Sequence, residues 1–73
     1  MSRSARILGI DPGLNRTGWG VIESAAGRVV CVDAGVIRVP AGELPDRIAS
    51  IFAGLRQVIA SAQPTRASVE KVF

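Results

Sequence analysis

The chain has 73 residues, 48% of them apolar, with four Pro, eight Gly and a formal net charge of +3. That length allows one domain with a thin core, burying about 60% of the surface exposed when unfolded. The apolar runs are too short for a membrane span of about 20 residues, and "MSRSAR" leads into a stretch too short and too soon broken by Asp11 for a signal peptide.

The lack of His and the single Cys exclude a zinc site and an internal disulfide. Any chemistry then rests on carboxylates or on metal ions they hold. Cys31, inside a Val-rich run, is expected to be a small buried hydrophobe. The basic residues are scattered, and all but Lys71 are Arg. This fits phosphate recognition and fits plain solubility as well.

Residues 5–11, "ARILGID", form the first predicted strand, apolar on both faces and therefore central in its sheet. "PGLNR" is a turn, and "TGWGVIES" is a second strand with Trp19 and Val21 on one face. "AAG" makes a tight connection to "RVVCVDAGVIRVP", a long third strand in which Gly35 suggests a bulge and Pro40 a stop. Such short connections imply an antiparallel meander.

The apolar period then changes. Leu44, Ile48, Ile51, Phe52, Leu55, Val58, Ile59 and Ala62 form one face of an amphipathic helix across "LPDRIASIFAGLRQVIASA", residues 44–62. Pro45 and Asp46 suit its first turn and Pro64 its finish. Gly54 inside it marks a close packing contact. "ASVEKVF" reads as a fourth strand ending at Phe73.

The order β-β-β-α-β gives an α/β fold with a mixed sheet. A right-handed helical crossover allows strand four to pair parallel with strand one, in the order 3-2-1-4, or to pair with strand three. In the first arrangement Asp11 and Glu70 converge at one edge, on strands about 4.8 Å apart. Two bare carboxylates that close repel, and one retains its proton unless a divalent cation lies between them. Mg²⁺ suits such a pair, with water and phosphate oxygens completing its shell. Two ions so held stabilise an in-line displacement at a phosphodiester. Taken singly, Asp11 also reads as a residue hydrogen-bonding its own Asp-Pro-Gly turn, and Glu70 as a solvated strand residue.

"ILGIDPGLNRTGWGVI", "GVIRVP", "LPDRIASIFAGLRQVI" and "QPTRASVEKVF" together resemble the N-terminal part of the RuvC crossover-junction endodeoxyribonucleases, of the RNase H-like superfamily. The resemblance implies that residues 1–73 are the N-terminal portion of one RNase H-like nuclease domain, truncated after Phe73. It implies that Asp11 and Glu70 are catalytic acids and metal ligands, and that Phe73 stacks on or wedges against a base. Arg16 and Lys71 are candidate phosphate contacts, each also readable as a solvated side chain.

The implied activity is symmetric, metal-dependent hydrolysis of four-way (Holliday) DNA junctions. Mg²⁺ or Mn²⁺ serves, two ions per site in the intact enzyme, with water rather than a side chain as nucleophile. A cytoplasmic homodimer acting with branch-migration motor proteins is also implied. The remaining acidic ligands of the family lie further downstream, so this stretch alone is expected to have little or no activity. Two other classes compete. One is a nucleotide-binding domain of the actin, sugar-kinase or chaperone ATPase type, where Thr17 and the glycine-rich turn cradle phosphates. The other is a non-catalytic nucleic-acid-binding module.

Overall fold

The structure is a computed structural model and describes residues 5–13 and 15–70. Three strands, a helix and a fourth strand follow one another: β1 (Ala5–Asp11), β2 (Arg16–Ala25), β3 (Arg28–Arg38), α1 (Leu44–Ala62) and β4 (Arg66–Val69). They build one four-stranded sheet of order β3-β2-β1-β4. The pairings β1–β2 and β2–β3 are antiparallel, and β1–β4 is parallel. The helical crossover therefore carries β4 to β1 rather than to β3, the first of the two arrangements above.

The β2–β3 connection is a two-residue hairpin turn. Ala26 (φ 53°) and Gly27 (φ 75°) both adopt positive φ, the pattern whose twist matches that of the flanking strands. The β1–β2 hairpin is closed differently. The Thr17 hydroxyl accepts from the Gly13 amide and donates to the Gly13 carbonyl, both at 3.4 Å, and the residue is fully buried. A side chain at Gly13 would meet the Arg16 carbonyl oxygen at 2.4 Å, so this turn tolerates only glycine.

Strand pairing sorts the side chains between two faces. Leu8 and Ile10 of β1 lie opposite Val21 and Trp19 of β2, which lie opposite Asp33 and Gly35 of β3. The helix covers this face. A methyl at Gly54 of α1 would sit 2.8 Å from Ile37 of β3, the close contact expected there. The Arg6 guanidinium binds the Ala62 carbonyl at 2.8 Å and Glu23 at 2.8 and 3.0 Å, fastening the helix end to the sheet. Gln63, left-handed at φ 50°, stops the helix by donating its amide to the Ile59 carbonyl. No helix among the described residues is long and apolar enough to cross a membrane.

Three expectations need correction. The bulge is not at Gly35, which pairs squarely with Trp19. It is at Val32, skipped where Val21 faces Asp33 and Ile22 faces Cys31. Gly35 is glycine for another reason: the Trp19 indole lies over it, 2.7 Å from where a Cβ would sit. Cys31 is exposed rather than buried. It belongs to the part of edge strand β3 beyond the helix, where Val29, Val30 and Val32 are exposed too.

The helix, finally, buries none of its residues completely. Ile51, Leu55 and Val58 are half-covered, while Leu44, Ile48, Phe52 and Ile59 are exposed. Its apolar stripe is wider than the sheet contact, so the buried apolar core among the described residues is small: Leu8, Val21 and Val39.

Candidate active site

The site lies at one end of the sheet, on the face away from the helix. Asp11 is the last residue of β1 and pairs with Gly18, so its side chain shares a face with Gly9, Gly18 and Gly20. Glu70 follows the last residue of β4, and its amide donates to the Ile10 carbonyl at 2.9 Å, extending the parallel ladder one step. Asp11 and Glu70 thus leave adjacent parallel strands at their carboxyl ends, where α/β sheets bind ligands. Together with Ser68 and the three glycines they line an open cleft of about 340 Å³.

The two acids act on each other's charge. The Glu70 carboxyl is raised above its ordinary value of 4.5, first because its protonated form donates a hydrogen bond to Asp11. Repulsion from the Asp11 charge and desolvation add to the rise. Within the turn the Thr17 hydroxyl bonds both Gly13 backbone groups, while Asp11 stands beside Glu70 on the cleft.

A carboxyl whose folded-state pKa is raised takes up a proton on folding. Its contribution is complete below the unfolded value and is lost as pH rises through the folded one. In Asp11→Asn, Glu70 is expected to titrate closer to 4.5 because the repelling charge is gone. The Glu70 side-chain carbon shift, followed by NMR against pH without metal, checks this; an unmoved midpoint would mean the two groups do not interact.

The donor set is all oxygen, which suits a hard divalent cation such as Mg²⁺ or Mn²⁺. Among the described residues no third acid joins the pair, so water, phosphate or further residues must complete a coordination shell.

Arg16, expected near the acids, opens β2 at this same end and on this same face, and is exposed. Sequence reasoning missed its neighbour. Arg38, the last residue of β3, stands directly opposite Arg16 in the ladder and is also exposed. Like charges facing each other across strands are unfavourable unless an anion screens them. Register alone brings them together, which is why neither residue's position in the chain betrayed the pair. Lys71 and Phe73 lie outside the described residues. Thr17, the hydroxyl a nucleotide-binding reading requires, is buried with its oxygen engaged at Gly13.

The family model described as "Crossover junction endodeoxyribonuclease RuvC" matches residues 7–73. Relatives bearing that name include one from Dechloromonas aromatica, 55% identical over 69 residues, and one from Oleidesulfovibrio alaskensis, 46% identical over 67 residues. The alignments take in 93% and 92% of this chain but 38% and 40% of those relatives, so the chain spans about two fifths of their length.

Among solved structures, that of Thermus thermophilus RuvC superposes with a TM-score of 0.76 at 25% identity, covering 93% of this chain and 43% of the other. A second, of T. thermophilus RuvC in complex with Holliday junction substrate, gives 0.77 at 24%, over 94% and 43%. The Aquifex aeolicus PPX-GPPA enzyme shares the fold at 0.70 and 17% identity, over 92% and 26%, so the fold by itself does not separate these families. The sequence does: with its family match over nearly all its length, this RNase H-like chain belongs to the RuvC family of crossover junction endodeoxyribonucleases.

Proposed function

We propose that residues 1–73 are the N-terminal portion of a single RNase H-like nuclease domain that resolves four-way DNA junctions by metal-dependent phosphodiester hydrolysis. The observation that carries this reading is the meeting of Asp11 and Glu70 at the carboxyl ends of adjacent parallel strands, beside an open cleft. The Thermus thermophilus relative in complex with a Holliday junction supports branched DNA as the substrate.

In this reading Asp11 and Glu70 hold the Mg²⁺ or Mn²⁺ ions, two per site in the intact enzyme. Bound there, the ions supply Lewis acidity toward the phosphodiester and lower the pKa of water. The chain's own part is to hold the two carboxylates rigidly. Asp11 is fixed by the β1–β2 ladder and Glu70 by the hydrogen bond its amide donates to the Ile10 carbonyl. Neither carboxylate attacks the phosphorus; water is the nucleophile. Arg16 and Arg38 take phosphates beside the cut site. The sequence resemblance adds Lys71 as a phosphate contact and Phe73 as a base-stacking residue, each such stack contributing about 1–3 kcal/mol.

Symmetric cutting needs two sites related by a two-fold axis, which a homodimer supplies. Branch-migration motor proteins would be its partners, in the cytoplasm with the DNA.

The test uses the full-length nuclease, this stretch followed by the further length its relatives possess. It should nick a mobile four-way junction with Mg²⁺, stop with a chelator, and leave linear duplex intact, whereas the 73-residue chain should cut neither. Cutting that persists under chelation would overturn the metal-dependent reading, and cutting by the 73-residue chain would show that the two acids suffice. In a junction-binding assay over a salt series, Arg16→Ala with Arg38→Ala should make the slope of log affinity against log salt less steep by about two. An unchanged slope would remove both residues from the interface.

A further inference from the structure

Four of the glycines answer to the fold. A side chain would strike backbone at Gly13, the Trp19 indole at Gly35 and Ile37 at Gly54, and Gly27 occupies a positive-φ turn position. Gly9, Gly18 and Gly20 have no such reason. All three lie in regular β1–β2 pairing. A Cβ would meet nothing nearer than 3.8 Å at Gly9 and 4.0 Å at Gly18, and nothing within 4 Å at Gly20. Glycine in a strand interior forfeits both backbone entropy and packing, so three of them on adjacent strands weaken the sheet without serving it. All three line one cleft, the cleft that also holds Asp11 and Glu70.

Their shared face explains them. With no side chains, the sheet there is bare backbone, about 7 Å along the strand from Gly18 to Gly20 and about 5 Å across to Gly9. One sugar–phosphate unit fits on such a floor. The carboxylates border it on the β1–β4 side, and the exposed Arg16–Arg38 pair stands on the β2–β3 side at the same end and on the same face. The negative border calls for a cation and the positive border for an anion, which is the polarity of a metal-bound phosphodiester continuing to the next phosphate.

We propose that Gly9, Gly18 and Gly20 form a side-chain-free floor that seats the deoxyribose–phosphate backbone of the cut strand, between the Asp11–Glu70 pair and the Arg16–Arg38 pair. The proposal rests on the nuclease reading above. It makes these glycines positioning residues: they set how closely the strand approaches the ions, and they take no part in proton transfer. A methyl or isopropyl group in the cleft lifts the strand by about an ångström or more, and a misplacement of that size costs about 10²-fold in rate.

The test is Gly20→Val in the full-length nuclease, with Gly20→Ala as the smaller step. Ser24→Val, on the same strand and face but beyond the cleft, is the control. Both Gly20 variants should melt at or above the parent temperature and bind Mn²⁺ alone as the parent does, measured calorimetrically. Their single-turnover cutting of a four-way junction should fall about 10²-fold for Val and less for Ala, while Ser24→Val cuts normally.

Unaltered cutting by both Gly20 variants would overturn the floor, as would a loss matched by Ser24→Val. Failure of both variants to fold would also overturn it, because the glycine would then be structural. Asp11→Asn run alongside separates the two levels: if it cuts normally, the Asp11–Glu70 pair is not the metal site and the reading on which the floor rests falls, whereas its inactivity beside fully active Gly20 variants removes the floor alone.

Discussion

Asp11→Asn in the full-length nuclease is expected to abolish junction cutting, by about 10²–10³-fold or more, while junction binding is largely kept. Asparagine preserves the shape and the β1 position of Asp11 opposite Gly18, and it can still hydrogen-bond Glu70. What disappears is one of the two charges that make the pair attractive to a divalent cation. Affinity for the junction comes chiefly from phosphate contacts made by cationic side chains, which this substitution leaves in place. Binding by gel shift in Ca²⁺ and cutting in Mg²⁺, on one preparation, separate the two effects. If binding and cutting fall together, Asp11 holds the fold rather than the ion.

The second large effect concerns stability. Leu8 is fully buried in a central strand, on the helix-facing side, in a core whose other buried apolar members among the described residues are Val21 and Val39. Leu8→Ala should cost about 2–5 kcal/mol, combining lost transfer energy with the cavity left behind. Against a total of about 5–15 kcal/mol for a domain, that is a large share. The expected result is a lower urea midpoint at unchanged slope, since the surface exposed on unfolding hardly changes. Leu8 lies on the face opposite the carboxylates, so the folded fraction should keep its Mn²⁺ affinity. A shift of the midpoint by less than the equivalent of about 1 kcal/mol would mean the site collapses around the smaller side chain.

The two substitutions sit three residues apart on β1 and are expected to act on separate properties. The alternation of a strand is the reason. Leu8 and Ile10 point toward the helix, Gly9 and Asp11 toward the cleft. One strand serves the core with one face and the site with the other.

Much of this was legible from the chain itself. The period-2 runs, the Gly and Pro punctuation and the switch to helical spacing specify β-β-β-α-β, because local backbone preference and local amphipathicity suffice for elements. Asp11 at the end of an apolar strand was a visible misfit, and the motif resemblance named the family.

The partners of these residues depended on register and crossover. Only the parallel β1–β4 ladder puts Glu70 beside Asp11, and only the antiparallel β2–β3 ladder puts Arg38 beside Arg16. The bulge at Val32, the exposure of Cys31 and the half-covered helix stripe were likewise settled by tertiary contact. Burial depends on which surfaces meet across the fold, and a sequence window reports only which residues would accept being buried. The glycines make the same point: composition counts eight, but only packing distances tell Gly13, Gly35 and Gly54, which neighbours crowd, from Gly9, Gly18 and Gly20, which leave a cleft bare.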